Sequence, residues 1–364
     1  MTGKRRGQGE GSLYWNERRQ RWQASISLEG RKRKTVSAKT RKEAATKLAQ
    51  LLRDQEQGTL TTGGQQKLKD FLLQWLEEVK KPNIKPLTYV VYQGILTNHL
   101  IPALGHLQVQ KLTPQHVQHL LAEKRKEGLE SATIGRILIV LKMALSHAVK
   151  LNLVVRNACN AVDAPRITHR EQAFLTPAQA QQLLRAARGH WIEPLLLLAI
   201  TTGLREGEIL GLHWEDINFL EQTIHVRRTV ARVGRQGIIE GTPKTELSKR
   251  TVSLPVRVVR ALKGHREQQA DDTLLVFSRN GTYIPASSVT FAFRKLVKDS
   301  GLPPIRFHDL RHSAVSLMLD MGVPMKEIKE MMGHSSINMT MDTYGHLMPG
   351  AMAKAMEKWD TFFD

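Results

Sequence analysis

Cysteine is almost absent from this 364-residue sequence, which contains only Cys159. A single cysteine can form neither an internal disulfide nor a cysteine-based zinc site, so we expect a chain that works in a reducing cytoplasm. Long apolar runs are also missing. The longest covers 194–200, far short of the roughly 20 residues that cross a bilayer. The polar, basic start of the chain lacks the apolar stretch of a signal peptide, and we expect no membrane segment.

Acidic residues are scarce relative to basic ones. The sequence has 34 Asp and Glu against 54 Lys and Arg, which gives a net charge of +20. Such an excess is typical of proteins that bind phosphate polyanions, so nucleic acid is the expected partner. The alternative is a soluble protein that is merely basic. At about 100 to 200 residues per domain, the length predicts two or three domains.

The positive charge is densest at the N-terminus. Residues 1–66 hold 15 Lys and Arg against 6 Asp and Glu, a net +9, compared with +6 for 67–165 and +5 for 166–364. Apolar residues alternate here with period two and change to a helical period after Thr40, which predicts a three-stranded sheet and a helix capped by Thr40. A β-ribbon of this width fits the major groove of DNA, and the alternative is a solvated charged surface. The predicted DNA contacts are Arg18, Arg19, Arg21, Trp22, Arg31, Lys32, Arg33 and Lys34.

Two segments of linker composition divide the chain. One is the stretch 57–66, rich in glycine and threonine, and the other is 157–170, which holds a proline with a basic flank. The last domain is the only one large enough for an elaborate site. The predicted domains are 1–62, 66–160 and 170–364.

The middle domain has apolar residues at helical spacing along its whole length, which predicts an all-helical domain. Thr88 and Thr133 occupy positions that favour helix N-caps. Acidic residues interrupt the basic ones, so composition favours DNA contact and an ordinary surface about equally.

Three polar clusters stand out in the last domain. They occupy 202–209, 308–312, and 333–334 with Tyr344 ten residues further on. In the first cluster, Gly203 is predicted to end an apolar helix and to expose Arg205. A buried arginine needs an anionic partner, and Glu208, three residues on, is the alternative, purely structural, explanation of Arg205.

The second cluster begins a helix predicted to run to Met321, with His308, Arg311 and His312 on one face. Two histidines four residues apart also suit zinc. However, no glutamate separates them and the adjacent arginine repels a cation, so we expect no metal.

In the third cluster, a helix that begins at Pro324 is predicted to end near Gly333. Ser335 or Ser336 is then predicted to cap a helix that carries Tyr344. A tyrosine in a helix usually packs in a core. Here the neighbouring arginines and histidines, on a chain of charge +20, favour phosphate chemistry instead.

Taken together, these residues resemble the tyrosine recombinase family, in particular phage-type integrases with an N-terminal arm-binding domain. Arg205, His308 with Arg311, His334 and Tyr344 occur in the family's order and spacing, and the resemblance covers essentially the whole chain. It implies a multidomain α+β fold. The parts are a small three-stranded sheet plus helix, an all-helical core-binding domain, and a mainly helical catalytic domain with a small antiparallel sheet.

The resemblance also assigns a family lysine to Lys244, in a β-hairpin region spanning 223–255. The alternative is an ordinary solubilising lysine. The stretches 85–88 and 98–105 are similar to the family's core-binding domain. The DNA contacts implied in that domain are Lys85, Thr88, Arg136 and Lys142.

The reaction that the resemblance implies is transesterification without ATP, metal or another cofactor. Tyr344 would attack a DNA phosphodiester, giving a 3′-phosphotyrosyl link and a free 5′-hydroxyl. Arg205 and Arg311 would hold the non-bridging oxygens, Lys244 would protonate the leaving oxygen, and His308 would accept the tyrosine proton. The implied catalytic residues are Arg205, Lys244, His308, Arg311, His334 and Tyr344, with Glu208 and His312 orienting them.

The family resemblance extends to assembly and biology. The amphipathic segment 351–363 is expected to dock on a neighbouring protomer, the alternative being its own domain. We expect a homotetramer on double-stranded DNA with core and arm attachment sites, which integrates or excises a mobile element in the bacterial cytoplasm, at the nucleoid. An accessory directionality or DNA-bending factor is a further candidate partner. The alternatives are a catalytically silent DNA-binding regulator and an enzyme like the type IB topoisomerases.

Overall fold

The structure is a computed structural model that divides into two compact units, Met1–Thr168 and His169–Asp364. The residues that the structure describes are 11–27, 33–56, 66–166, 174–234, 237–241, 249–269 and 273–333.

The first unit begins with the expected three-stranded sheet and helix. The elements are β1 (Ser12–Asn16), β2 (Arg21–Ser27), β3 (Arg33–Ala38) and α1 (Arg41–Glu56). The strands are antiparallel in the order β1-β2-β3, with Trp15 opposite Trp22. Ala24 and Ile26 are buried on the side where α1 packs against β2. Thr40 accepts a hydrogen bond from the Glu43 backbone N–H at 3.2 Å and so caps α1.

Helices and their connecting segments make up the rest of the first unit that the structure describes, with one isolated β-bridge between Lys67 and Gln108. The helices are α2 (Leu68–Gln74) with a π-helical extension Trp75–Lys80, α3 (Pro86–Ile95) with a π-helical extension Leu96–Leu100, α4 (Ile101–Leu104), α5 (Pro114–Lys126) and α6 (Ser131–Lys150). Their apolar faces enclose one core, whose largest fully buried side chain is Trp75. The predicted all-helical domain is confirmed.

Both predicted N-caps of this domain are wrong. Helix α3 begins at Pro86, so Thr88 lies inside its first turn. A proline favours the first helical position because its missing N–H is not needed there, and it forces Lys85 into an extended conformation. Helix α6 follows the extended residue Glu130, which places Thr133 inside its first turn as well.

Helix α6 is long and apolar enough, by length and composition alone, to cross a membrane. Nine of its 20 residues are buried in the first unit, along one side of the helix. Ile134, Ile137, Leu141 and Leu145 are all at most 1% exposed and lie in the same apolar core as Trp75. The apolar composition of α6 is therefore explained by its packing inside the helical domain.

The second unit is mainly helical and contains short antiparallel strands. Its helices are α7 (Pro177–Ala186), α8 (Glu193–Thr202), α9 (Glu206–Leu210), α10 (Val256–Gln268), α11 (Ala286–Asp299), α12 (Asp309–Asp320) and α13 (Met325–Met332). Its strands are β4 (Ile217–Asn218), β5 (Thr223–Val226), β6 (Thr229–Arg232), β7 (Ile238–Gly241), β8 (Arg250–Ser253), β9 (Ser278–Arg279) and β10 (Thr282–Tyr283).

The region expected to form one hairpin sheet contributes to two sheets. Strands β4, β5 and β8 form one in that order, and β6 pairs with β7 to form the other. Strand β8 returns to β5 with Arg250 opposite Val226. The chain therefore leaves the first sheet after β5, makes a separate hairpin, and comes back.

Helix α8 organises the core of this unit. Every residue from 195 to 200 is buried, as expected for a helix that is apolar on all sides. Helices α10 and α12 pack against it. The C-terminal end of α8 therefore has a fixed position, and the residues that follow it begin the candidate site.

Candidate active site

A left-handed glycine ends α8 and presents Arg205. Gly203 has φ +61°, a conformation that glycine adopts without strain. A Cβ atom at this position would lie 2.7 Å from the Met332 sulfur, so the Met332 side chain would have to shift to admit any other residue. Arg205 follows in an extended conformation at the start of α9, with 38% of its side chain exposed. Arg205 is therefore partly exposed just after the end of α8, as the sequence predicts.

Glu208 is the buried centre of a charge network. Its Oε1 accepts from Arg205 Nη1 at 2.7 Å, and its Oε2 accepts from the Arg205 backbone N–H at 3.0 Å. Arg250 donates to the same carboxylate, with Nη2 3.0 Å from Oε2. Burial alone would raise the pKa of Glu208, but Arg250 and then Arg205 outweigh it and hold that pKa below its usual range. Glu208 is therefore an ionised carboxylate shared by two arginines.

Arg311 lies inside the protein, only 5% exposed, and holds two pieces of backbone. Its Nη1 donates to the carbonyl of Gly203 at 2.6 Å, and its Nη2 donates to the carbonyl of Met332 at 2.7 Å. Gly203 is two residues before Arg205. The Arg311 guanidinium thus links the turn that presents Arg205 to the end of α13.

His308 and His312 lie side by side at the start of α12, with ring centroids 5.6 Å apart and planes at 88°. Burial lowers the pKa of His308, and the positive charge of Arg311 lowers it further. Burial and the neighbouring His308 likewise lower the pKa of His312. Both imidazoles are therefore neutral at pH 7, and a neutral imidazole can accept a proton.

Asp309 anchors the beginning of α12. Its carboxylate accepts from the Arg306 backbone N–H at 2.7 Å and from Arg306 Nη2 at 2.7 Å. One turn later, Ser313 donates to the Asp309 carbonyl and accepts from the backbone N–H of Leu175. These bonds fix the rotation of α12 and, with it, the direction of His308 and Arg311.

The structure brings together four of the predicted site residues, Arg205, Glu208, His308 and Arg311, with His312 beside His308. Lys244, His334 and Tyr344 lie outside the described residues, as does the segment 351–363. Among the residues that the structure describes, no three His, Cys, Asp or Glu side chains are grouped so that they could hold a metal ion.

The predicted DNA contacts of the first unit are spread over its surface. Arg18 and Arg19 lie in the β1–β2 turn, Arg21 and Trp22 in β2, and Arg33 and Lys34 in β3, while Arg31 and Lys32 lie outside the described residues. In the helical domain Lys85, Arg136 and Lys142 are exposed and Thr88 is half-buried. The ring of Trp22 has the Arg41 guanidinium over it, 5.7 Å from the centroid.

Arg250 is a site residue that the sequence reasoning missed, although a signal was present. In β8 the side chain of Val252 is buried, so period two places Arg250 on the same inward side. A charged residue at an inward position of a strand needs a buried partner. That partner is Glu208, from a different element.

A second polar cluster, not anticipated from the sequence, surrounds Arg228. Arg228 lies 3.1 Å from Asp216, 2.8 Å from Glu215 and 3.5 Å from Glu240. Tyr283 donates to Glu240 at 2.7 Å, and burial followed by this carboxylate raises the pKa of Tyr283 to about 12. These five residues, called here the Arg228 cluster, tie the β6–β7 hairpin to the rest of the unit.

Each of the two units is matched by a model of a known protein family. The model described as the phage integrase family matches residues 173–350, and the model described as its N-terminal SAM-like domain matches residues 67–124. An integrase of Streptomyces ambofaciens is 32% identical over 373 residues, which cover 94% of this chain and 93% of that protein. A protein named tyrosine recombinase XerC-like, from Caldanaerobacter subterraneus subsp. tengcongensis, is 29% identical over 361 residues, covering 91% and 92%.

Solved structures share the fold. The integrase of transposon Tn1549, in complex with a circular intermediate DNA, superposes with a TM-score of 0.71 at 20% identity over 81% of this chain and 99% of that one. A lambda integrase tetramer bound to a Holliday junction superposes with a TM-score of 0.58 at 18% identity, over 89% and 95%.

Proposed function

From the premise that this chain belongs to the phage integrase family, as a tyrosine-type site-specific recombinase, we propose that it cuts and rejoins double-stranded DNA through Tyr344. The Tyr344 oxygen forms a bond to the scissile phosphorus while the bond from phosphorus to the 5′-oxygen breaks. This gives a 3′-phosphotyrosyl link and a free 5′-hydroxyl. A 5′-hydroxyl from a second duplex reverses the step, which joins new strands and integrates or excises a mobile element.

The observation that carries this proposal is the pairing of two arginines at one turn. Arg311 binds the backbone carbonyl of Gly203, two residues before the partly exposed Arg205. Two guanidiniums held in this way can bind the non-bridging oxygens and neutralise charge in the transition state. A tyrosine hydroxyl has an ordinary pKa near 10, so ionising it at pH 7 costs about 4 kcal/mol, which this positive charge helps to offset.

Proton transfers are assigned to three further residues. His308, neutral because burial and Arg311 lower its pKa, accepts the proton of Tyr344. Lys244 protonates the leaving 5′-oxygen, and His334 donates a hydrogen bond to the phosphate. Glu208 orients Arg205, and His312 orients His308.

The domains divide the work of binding DNA. We assign arm-site binding to 1–62, core-site binding to 66–160 and catalysis to 170–364. Exposed basic side chains in the first two regions support these assignments. Arg18, Arg19 and Arg21 contribute at the arm site, with Lys85, Arg136 and Lys142 at the core site.

Assembly follows from the reaction, because strand exchange between two duplexes needs four cleavages. A tetramer of lambda integrase on a Holliday junction is a precedent for that arrangement. We assign the amphipathic segment 351–363 to contacts between protomers of a homotetramer. The reaction takes place on DNA in the bacterial cytoplasm, at the nucleoid, needs no cofactor, and admits an accessory directionality or bending factor.

Covalent trapping tests the proposal. The chain is incubated with a nicked suicide substrate that carries its attachment site, and the products are separated on a denaturing gel. Wild type should form a protein–DNA adduct and Tyr344→Phe should form none. A wild type that binds the site without forming an adduct would indicate a DNA-binding regulator, and an adduct with Tyr344→Phe would exclude Tyr344 as the nucleophile.

A further inference from the structure

Arg250 joins two parts of the candidate site. Its side chain is only 7% exposed, on the inward side of β8. The guanidinium faces both oxygens of Glu208, with Nη2 3.0 Å from Oε2 and Nη1 3.4 Å from Oε1. Its remaining nitrogen, Nε, donates to the carbonyl of Met331 at 2.6 Å. One side chain therefore binds the carboxylate that holds Arg205 and the end of α13.

The charge balance at Glu208 controls how Arg205 is held. Glu208 binds Nη1 of the Arg205 guanidinium at 2.7 Å, and a phosphate must compete with it for that nitrogen. Arg250 supplies a second positive charge to Glu208 and so weakens the hold of Glu208 on Arg205. Without Arg250, the buried carboxylate would depend much more on Arg205, because an uncompensated buried charge is costly.

The other contact of Arg250 acts on α13. The last carbonyls of a helix have no partner within the helix, and positive groups near them are favourable. Arg250 binds the carbonyl of Met331, and Arg311 binds the next one, that of Met332. Gly333 has φ +64°, and a Cβ there would lie 3.2 Å from Arg250 Cδ. Arg250 is thus packed against the residue that directly precedes His334.

We propose that Arg250 is a positioning residue for strand cleavage. It satisfies Glu208 so that Arg205 keeps donors for the scissile phosphate, and together with Arg311 it fixes the end of α13. This inference rests on the proposed function, in which Arg205 binds a non-bridging oxygen.

A neutral substrate separates positioning of Arg205 from general structural support. In a methylphosphonate linkage a methyl group replaces one non-bridging oxygen, so the charge that Arg205 neutralises is gone. Single-turnover nicking is measured at saturating protein on matched phosphodiester and methylphosphonate suicide substrates. If the substitution Arg250→Gln displaces Arg205, the variant should cleave the phosphodiester about 100-fold more slowly than wild type. On the methylphosphonate, the cleavage rate of Arg250→Gln should be within a few fold of the wild-type rate. The same holds for Arg205→Ala, because this substrate lacks the charge that Arg205 neutralises.

Controls distinguish the possible outcomes. Arg260→Gln, on the exposed side of α10, removes the same side chain outside the network and should match wild type on both substrates. Thermal unfolding shows whether each variant is folded. If Arg250→Gln does not fold, Arg250→Lys replaces it, because lysine retains the charge. Arg250→Lys should show the same substrate dependence with a smaller loss of cleavage rate. An equal loss for the Arg250 variant on both substrates would overturn the role of Arg250 in positioning Arg205. Failure of the methylphosphonate to rescue Arg205→Ala would overturn the proposed role of Arg205 instead.

Discussion

Single side chains of the site have their protonation set by their surroundings. Glu208 is kept ionised by two arginines, whereas His308 is kept neutral by burial and by Arg311. Both pKa values are lowered within one small region, because the carboxylate has cationic partners and the imidazole is buried beside cationic neighbours. The protonation states suit an anion-binding site whose base is free to accept a proton.

The pH dependence of cleavage should reflect the neutral state of His308. Its pKa lies below the ordinary 6.5, lowered by burial and then by Arg311, with Arg306 and Arg205 acting in the same direction and Asp309 opposing them. The single-turnover rate should therefore stay level as the pH falls from 8 to about 6.5 and decrease only below that. His308→Gln should lower the rate about 100-fold or more and flatten this acidic decrease. A decrease that begins above pH 6.5 would contradict the assignment of His308 as the base.

At the scale of elements, the Arg228 cluster fixes the hairpin of β6 and β7. Glu240 is the next-to-last residue of β7, and Lys244 follows four residues later. Glu240 accepts a hydrogen bond from the hydroxyl of Tyr283 and forms an ion pair with the guanidinium of Arg228. Both partners lie outside the hairpin. The position of the hairpin therefore depends on side chains of β10 and of the segment before β6.

Removing the Tyr283 hydroxyl should loosen this hairpin. Tyr283→Phe deletes the hydrogen bond to the Glu240 carboxylate and the longer contact with His213 Nε2 at 3.4 Å, and we expect a loss of about 1 kcal/mol in the free energy of unfolding. If Lys244 protonates the leaving oxygen, cleavage of a normal substrate should slow, while a substrate with a 5′-bridging sulfur, which leaves without a proton, should react at the wild-type rate. Chemical denaturation and single-turnover nicking measure the two effects, with Tyr92→Phe in α3 as the control. Equal slowing on both substrates would show that the Arg228 cluster does not act through Lys244.

The sequence predicts most elements and fewer of their connections. Gly203 and Gly333 end α8 and α13 as expected, because left-handed glycine caps have a local sequence signature. Thr88 is not an N-cap because Pro86, two residues earlier, determines the helix start more strongly than a threonine does. The pairing of Arg250 with Glu208 is beyond such reasoning, since 42 residues separate them and only the fold brings them together.

At the scale of the whole chain, the net charge of +20 is unevenly shared among the proposed domains. Residues 1–66 carry +9 although they are less than a fifth of the chain, on a module whose sheet and helix bury few residues. Electrostatic contacts with phosphates weaken steeply with salt, in proportion to the number of phosphates neutralised. The N-terminal module should therefore contribute affinity that is strongly salt-dependent.

Deleting residues 1–62 tests this division of labour. The shortened chain should still form the covalent adduct at a core site, because the catalytic residues are all retained. It should lose integration between arm-bearing substrates, and the salt dependence of its DNA affinity should be shallower than that of the full chain. Adduct formation, recombination and binding at several salt concentrations measure the three effects. Unchanged integration would refute arm-site binding by this module.

Because two arginines cap the C-terminal end of α13, the number of residues in this helix is constrained. Successive residues of a helix are rotated by about 100°, so inserting or deleting one residue in α13 would turn the carbonyls of Met331 and Met332 away from Arg250 and Arg311. Substitutions on the exposed side of α13 leave those carbonyls in place, but a change of one residue in its length does not. Among related chains, α13 should therefore vary in sequence and keep the same number of residues between Pro324 and Gly333.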